Sequence, residues 1–281
     1  MVDRHLETKL VLLGTGTPNA DPHRSGPATA IVLEDSAYLI DAGPGVVRQA
    51  SAASEKGITV LQPTQINRCF ISHLHSDHTL GLPDLIFSPW VLGREVPLEL
   101  WGPPGLQSMV DHLMAAYAKD VRERIEGLEP ANATGGDVIV HEIEPGRIHE
   151  IGDVCLEAFA VNHGAWPSYG YRFRSADRTI IVSGDTAPFP DWEKVYANCD
   201  ILVHEVQSGI GLANRSSDWQ TYHRAVHTTA NQLAGVASLV RPRLLVLTHL
   251  LFHGVSEKDL LAEIQSIFNG EVVCGKDLDV F

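Results

Sequence analysis

The chain has 281 residues, of which 44% are hydrophobic and 20% charged, ordinary values for a globular protein and too apolar for disorder. A formal net charge of -14 disfavours a protein that wraps polyanionic nucleic acid, because such binding relies on Lys and Arg to neutralise phosphates, although a local basic patch would escape this count. The length suits one large domain with a real core, and a single domain over 1–281 is expected.

Lys9 to Gly14 reads as a first strand, closed by the turn group Thr15-Gly16-Thr17-Pro18. Gly14-Thr15-Gly16 lacks the third glycine of a nucleotide loop, so cofactor binding is not expected there. Ala28 to Glu34 and Ala37 to Asp41 read as two strands joined by a tight turn, and Pro44 to Lys56 as a helix. Cys69-Phe70-Ile71 is the end of a buried strand, and Asp84 to Gly93 is an apolar stretch that suits either core or a pocket wall. Pro97 to Trp101 is a short strand, and Pro103 to about Arg124 a long helix with apolar residues at helical spacing. Val138 to Ile143 and Val154 to Val161 alternate as strands do, and Tyr169 to Arg174 with Arg178 to Ser183 forms a hairpin. A helix over Asp191 to Cys199 and a strand over Ile201 to Val203 precede Val206 to Val226, a stretch with no clean period that reads as a lid or binding loop bearing Trp219 and Tyr222. Thr228 to Val240 and Ser256 to Phe268 are helices around the strand Leu244 to Leu247. Glu271 to Cys274 and Leu278 to Phe281 close the sheet. The order of elements is mixed α/β (α+β), without repeat or linker.

Four dispersed cysteines with no C-x-x-C spacing argue against a disulfide framework. The N-terminal Met1 to Glu7 has no apolar leader core, and no run of 18 apolar residues occurs, so a soluble, cytoplasmic protein without membrane contact is expected.

Chemistry concentrates in His73-Leu74-His75-Ser76-Asp77-His78, directly behind the strand that ends at Ile71. Three imidazoles and a carboxylate are the ligand set for zinc or a similar divalent ion. His73 and His75, two apart on extended backbone, face the same way, while Asp77 and His78 are placed to reach a second ion. Asp41 ends an apolar strand, where a lone buried carboxylate is costly; orienting a ligand imidazole would satisfy it, and capping the following helix is the other use.

This H-x-H-x-D-H pattern resembles the hallmark of the metallo-β-lactamase superfamily. Leu39-Ile40-Asp41-Ala42-Gly43, Asn162-His163-Gly164, Ser183-Gly184-Asp185-Thr186 and Leu247-Thr248-His249 continue the match in order, over nearly the whole chain. Leu12-Leu13-Gly14-Thr15-Gly16-Thr17-Pro18 followed by Arg24-Ser25-Gly26-Pro27 resembles the branch holding ribonuclease Z and the zinc-dependent arylsulfatases, and the second group leans toward the arylsulfatase-like members. The resemblance implies a four-layer αββα sandwich and a binuclear site. His73, His75 and His163 would hold one ion, Asp77, His78 and His249 the other, and Asp185 would bridge them. Zinc is expected, with manganese or iron also suited to carboxylate bridges. A hydroxide bridging the ions would attack, oriented by Asp77. His227, in Val226-His227-Thr228-Thr229, resembles the general-acid histidine of ribonuclease Z, and His204-Glu205 resembles the family's His-Glu pair, with His204 a second candidate donor.

The substrate expected is a small phosphodiester or sulfate ester. The alternatives are tRNA 3′ processing, lactone or β-lactam hydrolysis, and a non-catalytic metal-binding protein. Only 22 positions separate His163 from Asp185, too few for the long arm with which some ribonucleases Z hold tRNA. Homodimers are common among such relatives, and that is analogy only.

Overall fold

The computed structural model describes residues 7–129, 131–151 and 154–281; the rest of the N-terminal stretch read for a leader, residues 1–6, lies outside them. The chain divides into two compact units. The first comprises the described residues up to Gly14, Pro18–Ile143 and Asp277–Phe281, and the second Thr15–Thr17 with Glu144–Lys276.

The first unit carries a six-stranded sheet in sequential order: β1 (Lys9–Gly14), β2 (Ala28–Leu33), β3 (Ser36–Ile40), β4 (Arg68–Phe70), β5 (Leu98–Gly102) and β6 (Val138–Glu142). β1 to β3 form an antiparallel meander, and β3 to β6 run parallel. Parallel strands need crossovers, and helices supply them. Val46–Glu55 buries Val46, Val47, Ala50 and Ala53, the stripe expected of an amphipathic helix on a sheet. The apolar stretch after the histidine cluster is the helix Leu82–Val91, with Pro83 in its first turn and its C-cap at Leu92, beyond which Arg94 N bonds back to Pro89 O at 2.8 Å. That arginine is buried, and it donates to the carbonyls of Ile66, Leu85, Ile86 and Gly135. The long helix expected from Pro103 is two, Leu106–Ala116 and Ala118–Glu126, interrupted at Tyr117. The chain's last residues bond to β1 through Leu10 N to Phe281 O and Leu12 N to Asp279 O.

The second unit carries a seven-stranded sheet ordered β13-β12-β11-β10-β9-β8-β7. Its strands are β7 (Gly146–Ile151), β8 (Val154–Ala160), β9 (Tyr169–Arg174), β10 (Thr179–Val182), β11 (Ile201–Gln207), β12 (Leu244–Leu251) and β13 (Val272–Cys274). β7 to β10 are antiparallel and β10 to β13 parallel, and the helices Ala230–Val240 and Glu257–Gln265 bury apolar stripes in the core beside them. β7, with the polar sequence GRIHEI, gave no strand signal in the sequence.

The expected loop Val206 to Val226 is corrected. It holds the end of β11 and two helices, Gly209–Ala213 and Ser217–Val226. The cause is capping rather than periodicity: Ser208 accepts from Gly211 N, and the Glu263 carboxylate accepts from Gly209 N and Ile210 N at 2.8 and 3.3 Å. Among the described residues no disulfide joins the four cysteines. Among the described residues, no helix is long and apolar enough to cross a membrane.

Candidate metal centre

In the first unit, Asp41 and the histidine cluster lie past the C-terminal ends of the parallel strands β3 and β4, where open α/β sheets place their ligands. Asp41 sits at φ 64°, a left-handed conformation that Asp tolerates better than most residues. Its carboxylate accepts from Ser72 N at 2.7 Å, Ser72 Oγ at 2.9 Å and His78 Nδ1 at 2.7 Å. Ser72 Oγ lies 3.0 Å from His73 Nδ1, so one carboxylate fixes His78 directly and His73 through a hydroxyl. The cap residue of the helix Val46–Glu55 is Gly45, not Asp41. Around this anchor the His73 ring is 4.7 Å from that of His75 and 4.2 Å from that of His78, and His78 Nε2 is 3.5 Å from Asp77. Ser72, wholly buried, was missed in the sequence because serine is common in turns; its position between Ile71 and His73 was the only signal.

In the second unit the same economy holds. Asp185 follows β10, and His249 lies within β12, where Glu205 pairs with Thr248 but Val206 with Leu250. His249 is therefore the extra residue of a bulge, with φ 44°, and bulges of this kind re-aim a side chain beside active sites. His249 Nε2 is 3.4 Å from Asp185. His163 follows β8, and its Nδ1 donates to Val226 O at 2.8 Å. Burial pushes the His163 imidazole below its ordinary pKa, which favours the neutral, lone-pair form.

Glu205 is the hub of this half. Its Oε1 accepts from Thr228 N at 2.9 Å, Thr186 N at 3.2 Å and His227 Nδ1 at 3.3 Å. His227 is thereby turned by its Nδ1, and its ring lies 5.3 Å from that of His163 and 5.6 Å from that of His249. Donor atoms of His163, Asp185 and His227, and separately of Glu205, His227 and His249, lie within 4.8 Å of one another. His204 is occupied elsewhere: Tyr196 Oη is 3.2 Å from its Nε2, and its Nδ1 donates to Glu205 O at 2.6 Å. Burial lowers its pKa as well. Trp219 and Tyr222 lie on the helix that leads into His227, half exposed at 50% and 47%.

The donor set fits divalent ions. Apart from the half-buried His75 it consists of buried imidazoles and carboxylates, and the imidazoles of His73, His78 and His163 are each held through Nδ1 by an oxygen, which presents Nε2 as the ligand nitrogen. These tautomers follow from the hydrogen-bond partners.

Residues 37–250 match the model of the β-lactamase superfamily domain. The chain is 31% identical to a ribonuclease Z of Mycobacterium sp. (strain KMS), with 96% of this chain and 94% of the relative covered. Among solved structures, the metallo-β-lactamase fold protein YhfI of Bacillus subtilis superposes with a TM-score of 0.73 at 17% identity, over 98% of this chain and 99% of that one. Human tRNase Z, short form, superposes with 0.71 at 22%, over 97% and 98%. Both sheets with their helices, the histidine clusters and these matches agree that the chain belongs to the metallo-β-lactamase superfamily and is a metal-dependent hydrolase of ester bonds.

Proposed function

We propose that the chain is a binuclear phosphodiesterase of ribonuclease Z type, cleaving RNA at a phosphodiester whose leaving group is an alkoxide. The observation that carries this reading is the buried His227–Glu205 pair beside His163, Asp185 and His249. An alkoxide needs a proton to depart, and an imidazole whose pKa lies near neutrality is suited to give it. Glu205 holds the proton on Nδ1, so His227 offers Nε2 to the leaving oxygen.

Carried over from the family, His73, His75 and His163 would hold one ion and Asp77, His78 and His249 the other, with Asp185 shared. Two such ions, zinc by preference, supply an acidified water and neutralise phosphate charge when bound. Asp77 orients the nucleophile, Asp41 and Ser72 keep the imidazoles aimed, and Trp219 and Tyr222 receive the substrate beside the proton donor. His204, with both ring nitrogens engaged, is the weaker proton donor of the two.

The 22-position interval and the acidic charge favoured a small ester over tRNA. The interval loses weight against the relatives, because the chain covers 94–96% of the mycobacterial ribonucleases Z it resembles, which leaves little room in them for a long additional arm. The charge still favours a small phosphodiester as the second reading. The test is a side-by-side assay of an RNA precursor carrying a 3′ trailer and bis(p-nitrophenyl) phosphate. Trimming of the precursor at one position supports the proposal. Turnover of the small ester with an intact precursor favours the second reading, and turnover of neither refutes both.

A further inference from the structure

Gln207, the last residue of β11, is wholly buried, and its side chain is committed to the segment that carries His227. Its Nε2 donates to His223 O at 3.0 Å and His227 O at 3.1 Å. A primary amide has two N–H groups, and both are used here. Its Oε1 lies 3.3 Å from His253 Nε2, and its backbone N–H donates to Thr228 O at 2.9 Å. The two carbonyls it holds bracket the exit of the helix Ser217–Val226, that of His223 in its last turn and that of His227 just beyond it. His227 N still bonds to His223 O at 2.9 Å, but His227 itself has left the helix at φ -133° and ψ 158°. The backbone on both sides of the imidazole is therefore pinned from β11, the same strand that supplies Glu205 two residues earlier.

His253 is held in turn. It has φ 51°, and the turn it sits in packs so close to Gly211 that a β-carbon there would meet Phe252 O at 2.5 Å and His253 Cβ at 2.9 Å. The turn after His249 thus reaches the His227 backbone through His253 and Gln207.

We infer that Gln207 is a positioning residue for the proton donor: by pinning the carbonyls of His223 and His227 it sets the imidazole of His227 against Glu205, with His253 holding the amide in the required orientation. This rests on the reading of His227 as the general acid. Gln207 touches no reacting atom, so its loss should act only through His227.

The experiment is a double-mutant cycle between Gln207→Leu and His227→Ala at matched metal content, measured on RNA and on bis(p-nitrophenyl) phosphate. Gln207→Met serves as a second variant that also keeps the volume and removes both donors. General acid catalysis is worth about 10²–10⁴-fold, so mispositioning should cost about 10- to 100-fold on RNA. On the p-nitrophenyl ester the loss should stay within about threefold, because that group departs without a proton. In the His227→Ala background the further loss on RNA should be within about twofold, since coupled residues are not additive. The pH-rate limb belonging to the proton donor should also move in the Gln207 variants. Equal losses on both substrates, or a full additional loss on top of His227→Ala, would make Gln207 a packing residue and overturn the inference. Should His227→Ala itself show no dependence on the leaving group, the general-acid reading fails first, and the inference with it.

Discussion

Asp41 gives the sharpest handle on how the first half of the centre is held. Its carboxylate satisfies three buried donors, Ser72 N, Ser72 Oγ and His78 Nδ1, at 2.7 to 2.9 Å. Asp41→Ala strands all of them, at about 1–3 kcal/mol each, and leaves at φ 64° a residue that tolerates the left-handed region less well than aspartate. Relaxation will recover part of that sum, so a loss of about 3–5 kcal/mol in the metal-free protein is expected, the range for breaking a buried charged pair. Asp41→Asn tolerates the same backbone and keeps one acceptor oxygen, but its amide nitrogen points donors at donors, for a loss of about 1–3 kcal/mol. Both variants release the orientation of His78, and a lost imidazole orienter typically weakens metal binding about 10–100-fold. That weakening removes a further 1.4–2.8 kcal/mol, roughly, from the stability gained at saturating metal. Denaturant unfolding with and without metal reads the first quantity, and competition against a graded chelator reads the second. If Asp41→Ala keeps its metal at the chelator concentration that half-strips the wild type, the carboxylate does not aim His78.

His223 and His253 are both pushed down to about 4, first by burial and then by neighbouring cationic groups, Arg215 and His227 among them. A free imidazole titrates near 6.5, so the unfolded chain takes up protons first. Stability present above about pH 6.5 should fall as pH drops toward 4, and His253→Gln should flatten that fall in urea midpoints measured from pH 7 to 4.5; an unflattened curve contradicts the burial argument. His227→Ala should keep its metal yet lose about 10²–10⁴-fold on RNA and far less on a p-nitrophenyl ester, and equal losses on both would remove it as proton donor.

The parts of the fold that a sequence pattern can carry were legible in the sequence. Apolar runs such as those of β1, β3 and β4 announce buried strands, and the residues following them stand out because imidazoles and carboxylates are unusual there. What was illegible depends on partners distant in the chain. The helix Gly209–Ala213 is started by Ser208 with Glu263, more than fifty positions away. The bulge that aims His249 exists only as a mismatch between two paired strands. Gln207 and His253 carry no local pattern, and only the return of the chain after β12 brings them together. His204 shows the opposite case: its motif is plain, yet the fold surrounds it with Trp192 and Tyr196 and uses both its nitrogens.

The proposed two-ion phosphodiesterase should regain its activity in step with its metal when chelated protein is reloaded. Zinc added in steps to stripped protein, with bis(p-nitrophenyl) phosphate turnover and bound metal measured on the same samples, should give activity that rises to a plateau at two equivalents. Full turnover in protein shown to hold less than one equivalent would contradict it.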